Sequence, residues 1–218
     1  MSSVSLKKAY EKNALRRQPT PLSAAYGPVS MQYKRANLTT QRLIAGCKRQ
    51  EEASQLALYR HFYSYGLSIC LRYAKNREAA LEVLNDGFLK LFQNIDRYDE
   101  GQEFKPWLRR ILINASIDHY RKYEKKKPPQ EEINQEFEVN NEALDRLDYK
   151  DVIRIMQKLP SAYRQAFNLY VIEGYTHPEI AKLLGITVGT SKSNLAKARR
   201  KMQGYIAQEW DIPPNRKT

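Results

Sequence analysis

The spacing of apolar residues predicts helices along most of this chain. Between residues 51 and 74 the apolar side chains recur at steps of three and four, as on one face of a helix: Leu56, Tyr59, Tyr63, Leu67 and Cys70. The same spacing predicts a helix over 77–95. Another helix starts near Phe104, with Pro106 in its first turn, where a missing N–H costs little. That helix should end before Pro128 and Pro129.

The helical period returns after these prolines, and no strand pattern is found in the sequence. Helices are predicted over 142–157, from an N-cap at Ser161 to Glu173, over 177–184 and over 188–206. The predicted fold class is all-α, with two small helical domains joined by a flexible acidic linker. The predicted boundaries are a basic, mostly disordered arm (1–36), a first domain (37–126), the linker (127–141), a second domain (142–207) and a tail (208–218).

The net charge of the chain indicates the class of molecule that it binds. The chain carries 37 Lys and Arg against 24 Asp and Glu, for a net charge of +13, and residues 1–50 hold ten basic side chains and one acidic one. Such a balance favours a polyanionic partner, most simply nucleic acid. No apolar run reaches the roughly 20 residues that span a bilayer, so we expect no membrane insertion. No secretory signal precedes residue 37, and Cys47 and Cys70 fit a reducing, cytoplasmic setting.

Residues 176–187 carry the strongest local signal in the chain. Thr176 and Glu179 have the spacing of a capping box, and Gly185 allows the left-handed backbone of a tight turn. Ile186 should fill the core behind that turn, and Thr187 should cap the next helix. Together these features predict a helix-turn-helix motif, rather than a helical hairpin with a solvated basic face.

The helix after the turn has two distinct faces. The predicted inner face holds Val188, Ser191, Leu195, Ala198 and Met202, and the outer face holds Lys192, Ser193, Ala196, Lys197 and Arg200. Because Lys and Asn can read base edges while Arg and Thr bind phosphates, the outer face is typical of a recognition helix in the DNA major groove.

Catalytic and metal-binding patterns are missing from the sequence. His61, His119 and His177 lie far apart, and no nucleophile elbow or glycine-rich phosphate loop occurs. We therefore expect no enzyme activity and no cofactor. Trp107 is expected to pack in the core, and each cysteine to be a small buried hydrophobe.

Two blocks of residues, in order, resemble the bacterial RNA polymerase sigma factors of the extracytoplasmic-function (ECF) group. The first block comprises 85–92, 104–111, Asn114, Asp118 and Arg121-Lys122. The second comprises Leu159-Pro160, Tyr163-Arg164, 167–170 and the helix-turn-helix through Arg199.

The resemblance implies three binding surfaces and their partners. The helix over 77–95 would dock on core RNA polymerase through Glu82, Asn85, Asp86 and Lys90. The helix that starts near Phe104 and loop 96–103 would bind and help to melt the promoter −10 element, with contacts from Arg109, Arg110, Asn114, His119, Arg121 and Lys122. The recognition helix would read the −35 element through Thr190, Lys192, Ser193, Asn194, Ala196, Lys197, Arg199 and Arg200.

The resemblance also implies that the linker threads the polymerase channel. An anti-sigma factor is a family expectation, and the free chain is expected to be a monomer. Two alternatives stay open at this point. One is a self-sufficient helix-turn-helix regulator whose first domain serves dimerisation or sensing, and the other is a recombinase-like enzyme with an appended helix-turn-helix.

Overall fold

The computed structural model describes the backbone of residues 29–125 and 149–209, and the side chains of 39–125 and 151–208. Every regular element in these ranges is helical, which confirms the all-α prediction. Helix α1 (Val29–Lys48) begins within the predicted arm, so the disorder predicted for residues 29–36 is wrong. Arm residues 1–28, linker 127–141 and tail residues 210–218 lie outside the described residues. Internal contacts divide the chain into residues 1–39 and 40–218, and the second unit contains the cores of both helical domains.

Beside α1, which adds Ile44 and Cys47 to the core, three helices of the first domain start within one residue of their predicted positions. They are α2 (Glu52–Tyr73), α3 (Arg77–Gln93) and α4 (Phe104–His119), and α4 continues into a π-helical turn, Tyr120–Glu124. The Asn76 side chain starts α3 by accepting a hydrogen bond from the backbone N–H of Ala79 at 3.0 Å. This contact satisfies one of the donors that a helix N-terminus leaves unpaired.

The core of this domain lies between the three helices. Side chains such as Leu58, Leu84, Phe88, Leu108 and Leu112 are fully buried in it. Gly87 lets α3 and α4 approach closely, because a Cβ at that position would lie 2.5 Å from Leu112 Cδ2. Trp107 is half-buried against Phe104 and Tyr98, so its predicted place in the core is confirmed. Leu56 was predicted on the apolar face of α2, but it is 49% exposed.

Four helices build the second domain: α5 (Tyr149–Lys158), α6 (Ser161–Phe167), α7 (His177–Leu184) and α8 (Val188–Glu209). A π-helical turn, Asn168–Ile172, extends α6, and Gly174 then leaves the helix with φ of 75°. The predicted cap at Ser161 is wrong, because Pro160 occupies the N-cap and Ser161 is already helical. The predicted helix over 142–157 falls within the described residues only from Tyr149 onward.

The buried cores of the two domains are continuous. Leu169, Ile180 and Leu184 of the second domain belong to the same buried cluster as Leu108 and Leu112 of the first. The sequence predicts two domains joined by a flexible linker, whereas the structure packs them directly against each other. This packing brings polar side chains from both domains into one interface.

Candidate promoter and polymerase surfaces

The helix-turn-helix is built as the sequence predicts. The carboxylate of Glu179 accepts hydrogen bonds from the backbone N–H and the hydroxyl of Thr176, both at 2.8 Å. Gly185 ends α7 with φ of 62°, in the left-handed region that favours glycine. Thr187 then caps α8 by accepting from the Thr190 N–H at 3.0 Å. These contacts fix the angle at which α8 leaves the turn.

Helix α8 presents most of its predicted outer face to solvent. Thr190, Lys192, Ser193, Ala196, Arg199 and Arg200 are exposed, and Asn194 and Lys197 are half-buried. The Lys197 ammonium lies 6.0 Å from the centre of the Tyr163 ring, and the Arg199 guanidinium lies 5.9 Å from that of Tyr170. The aromatic rings therefore support two of the basic side chains from below.

The inner face of α8 is predicted correctly at four of its five positions. Ser191, Leu195 and Ala198 are buried, and Met202 is half-buried against the second-domain core. The prediction for Val188 is wrong, because this first residue of α8 is 40% exposed. Lys201 lies on the buried side, which the period did not indicate.

The predicted −10 side chains line α4 and its π-helical turn, but they differ in exposure. Asn114, Arg121 and Lys122 are exposed, whereas Arg109 and Arg110 are half-buried. The neighbouring loop is held in place by its own contacts: Tyr98 is buried, and the Asp99 carboxylate accepts from the Gly101 N–H at 2.9 Å. The Lys48 ammonium also pairs with Glu100 at 2.7 Å.

Arg109 is held by a carboxylate from the second domain. Its Nε and Nη2 donate to the two oxygens of Glu173 at 2.9 and 2.7 Å, and the Glu173 side chain is only 6% exposed. Arg72 Nη2 lies 3.8 Å from the same carboxylate. Partial burial acts to lower the pKa of Arg109, but the charge and hydrogen bonds of Glu173 outweigh it, so this pKa is raised.

His119 faces the protein rather than solvent. Its Nε2 lies 3.5 Å from Glu82 and its Nδ1 lies 3.7 Å from Glu124, and its ring contacts Tyr123. The structure therefore brings a predicted −10 residue, His119, next to a predicted polymerase residue, Glu82. In this arrangement His119 supports the surface and does not project from it.

The predicted polymerase surface is the polar face of α3. Glu82, Asn85 and Asp86 are exposed, and Asn85 Oδ1 accepts from the Tyr59 hydroxyl at 3.0 Å. Lys90 pairs with Asp118 of α4 at 2.8 Å. The four side chains thus occupy one continuous face, as their spacing predicts.

A group of polar side chains between the domains was assigned no role from the sequence. Arg164 Nε donates to the backbone carbonyl of Tyr73 at 3.0 Å, and Asn168 Nδ2 donates to that of Arg72 at 2.7 Å. Gln165 Nε2 also reaches the Tyr73 carbonyl, at 3.2 Å. The sequence offered one signal for this group, because Arg164 and Asn168 stand in the second block of the resemblance.

The described residues form neither a metal-ligating cluster nor a membrane-crossing helix. Within residues 39–125 and 151–208, no three His, Cys, Asp or Glu side chains gather as a metal site requires. No helix in the described part of the chain is both long and apolar enough to cross a bilayer.

Comparison with known proteins identifies both domains. The model of Sigma-70 region 2 matches residues 58–126, and that of Sigma-70, region 4 matches residues 149–202. The ECF RNA polymerase sigma factor SigM of Bacillus subtilis is 26% identical over 149 residues, which cover 67% of this chain and 91% of SigM. The ECF RNA polymerase sigma-E factor of Haemophilus influenzae is 24% identical over 183 residues, covering 78% and 96%.

One solved structure, CnrH in complex with the cytosolic domain of CnrY, aligns over 79% of this chain and 97% of that chain. The sequence identity is 20% and the TM-score is 0.41.

The region 2 and region 4 matches occur in the order of the two helical domains. The chain therefore belongs to the sigma-70 family of RNA polymerase sigma factors. Within that family it is an alternative sigma factor of the ECF group, which directs promoter-specific transcription by core RNA polymerase. A self-sufficient regulator is not favoured, because the region 2 model matches residues 58–126, which form most of the first domain.

Proposed function

We propose that residues 37–126 and 142–207 divide promoter recognition between them, with the first domain also docking on core polymerase. The observation that supports this proposal is that the segments matched by the region 2 and region 4 models contain α3 and α8, whose candidate side chains are mostly exposed. The assignment of individual residues rests on their exposure and chemistry.

The polymerase-docking residues are Glu82, Asn85, Asp86 and Lys90 of α3. Their support is a shared, mainly exposed face with both charge signs, which suits a specific polar interface. The buried side of the same helix anchors it in the first-domain core through Leu84 and Phe88. A docking surface on a packed helix keeps its geometry when the partner binds.

The −10 residues are Arg109, Arg110, Asn114, His119, Arg121 and Lys122, beside loop 96–103. Exposed Arg121 and Lys122 are suited to phosphates, and the fixed loop could accept an unstacked base. His119 acts by positioning, since it lies between Glu82 and Glu124. Opening a duplex costs a few kcal/mol per unstacked base, which such contacts must offset.

The −35 residues are Thr190, Lys192, Ser193, Asn194, Ala196, Lys197, Arg199 and Arg200 of α8. Lys192 and Ser193 are exposed near the start of the recognition helix, where a helix-turn-helix reads base edges. Asn194 favours adenine over guanine, because its amide matches the adenine N6 and N7 atoms. Thr190 is engaged with Thr187 and serves the helix start as well as the DNA.

We infer that RNA synthesis belongs to the polymerase and that this chain catalyses no step itself, as expected for a family of transcription regulators. The site of action would be the cytoplasm, where polymerase and DNA meet. The monomeric state of the free chain, a channel-threading role for residues 127–141 and an anti-sigma partner are proposals that rest on the family alone.

The test is a binding experiment with core RNA polymerase lacking a sigma factor. Changing Asn85 and Asp86 together to Lys should abolish binding, because it reverses the charge of the docking face while leaving the buried side of α3 intact. The matched control changes exposed Gln41 and Glu52 to Lys, which alters the net charge equally on α1 and α2. If the Asn85/Asp86 variant binds core as tightly as the control does, the docking surface lies elsewhere.

A further inference from the structure

The contact between Arg109 and Glu173 has the geometry by which a guanidinium binds a phosphate. Two parallel N–H···O bonds of 2.9 and 2.7 Å join the Arg109 fork to the Glu173 carboxylate. Such bidentate pairing is common to carboxylates and phosphates. Arg109 stands among the predicted −10 residues, so Glu173 of the second domain occupies the position that a DNA phosphate needs.

A second set of contacts holds the domains in this arrangement. The last carbonyls of a helix have no intrahelical partner, and at the end of α2 they are satisfied from the second domain. Gln157 donates to the carbonyl of Leu71 at 3.4 Å, and Asn168 donates to that of Arg72 at 2.7 Å. Arg164 and Gln165 donate to the carbonyl of Tyr73. These four side chains form a cross-domain cap on α2.

A third contact reaches the helix-turn-helix itself. Lys125, directly after the π-helical turn that extends α4, donates from Nζ to the carbonyl oxygen of Gly185 at 2.9 Å. A Cβ on Gly185 would lie 3.8 Å from Arg121 Nη2, so a second predicted −10 residue lies at the same turn. The −10 helix and the −35 motif therefore touch in this form.

The interface between the two domains also contains buried polar atoms that lack hydrogen-bond partners. Among the described residues, five buried atoms at this interface have no hydrogen-bond partner: Arg72 Nε and Nη2, the Tyr73 hydroxyl, Gln165 Oε1 and Asn168 Oδ1. Buried polar atoms without a partner cost free energy that contact with water would recover. Separation of the domains would hydrate these atoms, so the interface is suited to opening.

Binding both promoter elements at once requires the two domains to separate. Elements named −10 and −35 are about 25 base pairs apart, or about 85 Å of B-form DNA at 3.4 Å per base pair. Helices that touch at Gly185 and Lys125 cannot read both at once. The 24 residue steps from 125 to 149 extend to about 86 Å at most, which is enough chain for the domains to separate widely.

We propose that the free protein is held closed by the cross-domain cap, with Glu173 acting as an internal competitor for DNA phosphate at Arg109. This inference rests on the proposed function, because it takes Arg109 as a −10 contact. The competition has a defined consequence: the free chain binds single-stranded DNA with one phosphate contact fewer than its open form does.

The test is a titration of the full-length free chain with a fluorescent 20-nucleotide single strand of mixed sequence, over a series of salt concentrations. The Glu173→Gln substitution removes the carboxylate charge and one of the two hydrogen-bond acceptors, so Arg109 is released more readily to a phosphate. The slope of log K against log salt should therefore steepen by about 0.7, the value for one added phosphate contact on a single strand. Adding Arg109→Ala to Glu173→Gln should remove that gain.

Two further variants separate competition from a simple change of net charge. Glu52→Gln removes the same charge at an exposed position of α2 and should leave the slope of the wild type unchanged. Asn168→Ala keeps the net charge but removes a donor of the cap, and it should steepen the slope like Glu173→Gln. Spin labels on cysteines introduced at Leu89 and Gln203, both exposed, should report longer distances in Glu173→Gln and in Asn168→Ala than in the wild type.

Equal slopes for Glu173→Gln and Glu52→Gln would overturn the proposal, as would unchanged label distances in Glu173→Gln. If Asn168→Ala fails to fold, Glu173→Gln with and without Arg109→Ala still decides the matter. All variants are also assayed for binding and transcription with core polymerase. Normal transcription with equal DNA slopes rejects only the competition, whereas no binding of any chain to core rejects the proposed function.

Discussion

At the scale of single residues, Arg164 shows how a charge is kept inside this protein. Its side chain is 1% exposed, and it donates to the carbonyls of Tyr73 and Gln157 while lying 3.6 Å from Glu124. Burial lowers the pKa of Arg164, and the Glu124 carboxylate acts in the opposite direction. A buried charge is tolerated only when it is paired and hydrogen-bonded in this way.

Cys70 gives a prediction at the same scale. Burial raises the pKa of its thiol to about 12, above the unfolded value of 9.0, so the fold favours the protonated thiol. Its contribution to the free energy of unfolding is complete below about pH 9 and is lost as the pH rises toward 12. Between pH 9 and 12 the free energy of unfolding of the wild type should therefore fall more steeply with pH than that of Cys70→Ala. The difference between the two slopes should be about 1.4 kcal/mol per pH unit.

The measurement is urea unfolding of the wild type and Cys70→Ala at several pH values from 8 upward, to about 10.5. The buried tyrosines are common to both proteins, so the difference between the two pH profiles isolates the thiol. Parallel profiles would mean that the folded protein accommodates the Cys70 thiolate.

At the scale of elements, local signals were the most predictable. The Thr176–Glu179 capping box, the Gly185 turn and the Thr187 cap depend on neighbours within a few residues, so the sequence alone specifies them. Leu56 is exposed although Leu58 in the same turn is fully buried, so the buried face of α2 is rotated relative to the predicted one. Val188 is exposed as the first residue of α8. The π-helical turns after α4 and α6 have no periodic signal.

For the recognition helix, α8, we predict how two of its lysines contribute to the salt dependence of DNA binding. Replacing Lys192 and Lys197 singly by Ala should each reduce the salt slope of holoenzyme binding to duplex from the gene's own upstream region by about one, because each removes one phosphate contact. The control is Lys75→Ala, exposed in the first domain between α2 and α3. Variants that keep the full slope of the Lys75→Ala control would show that these lysines do not contact phosphates.

At the scale of the whole molecule, the two domains form one packed body through polar as well as apolar contacts. Helix periods predict which face of each helix is apolar, and that was enough for the all-α fold and the positions of the helices. They cannot predict that Glu173 reaches Arg109, 64 residues away, because polar pairs across an interface follow no period. For the same reason, helix periods cannot predict that Asn168 donates to the carbonyl of Arg72 at the end of α2.

This packing changes the picture of the candidate site. Most of the predicted site residues of α3 and α8 are exposed, and their contacts with polymerase and DNA stay predictions. Arg109 and His119, by contrast, are engaged within the protein. The sites were therefore predictable as residues on faces, but their accessibility depends on the state of the whole chain.

The central claim is that this chain gives core RNA polymerase its promoter specificity. The most direct measurement mixes the purified chain with core polymerase that lacks a sigma factor, isolates the complex, and assays transcription from the gene's own upstream region. We expect a stable complex and transcripts that depend on both the chain and the promoter. Tight binding to duplex DNA alone, with no binding to core and no transcripts, would contradict the claim.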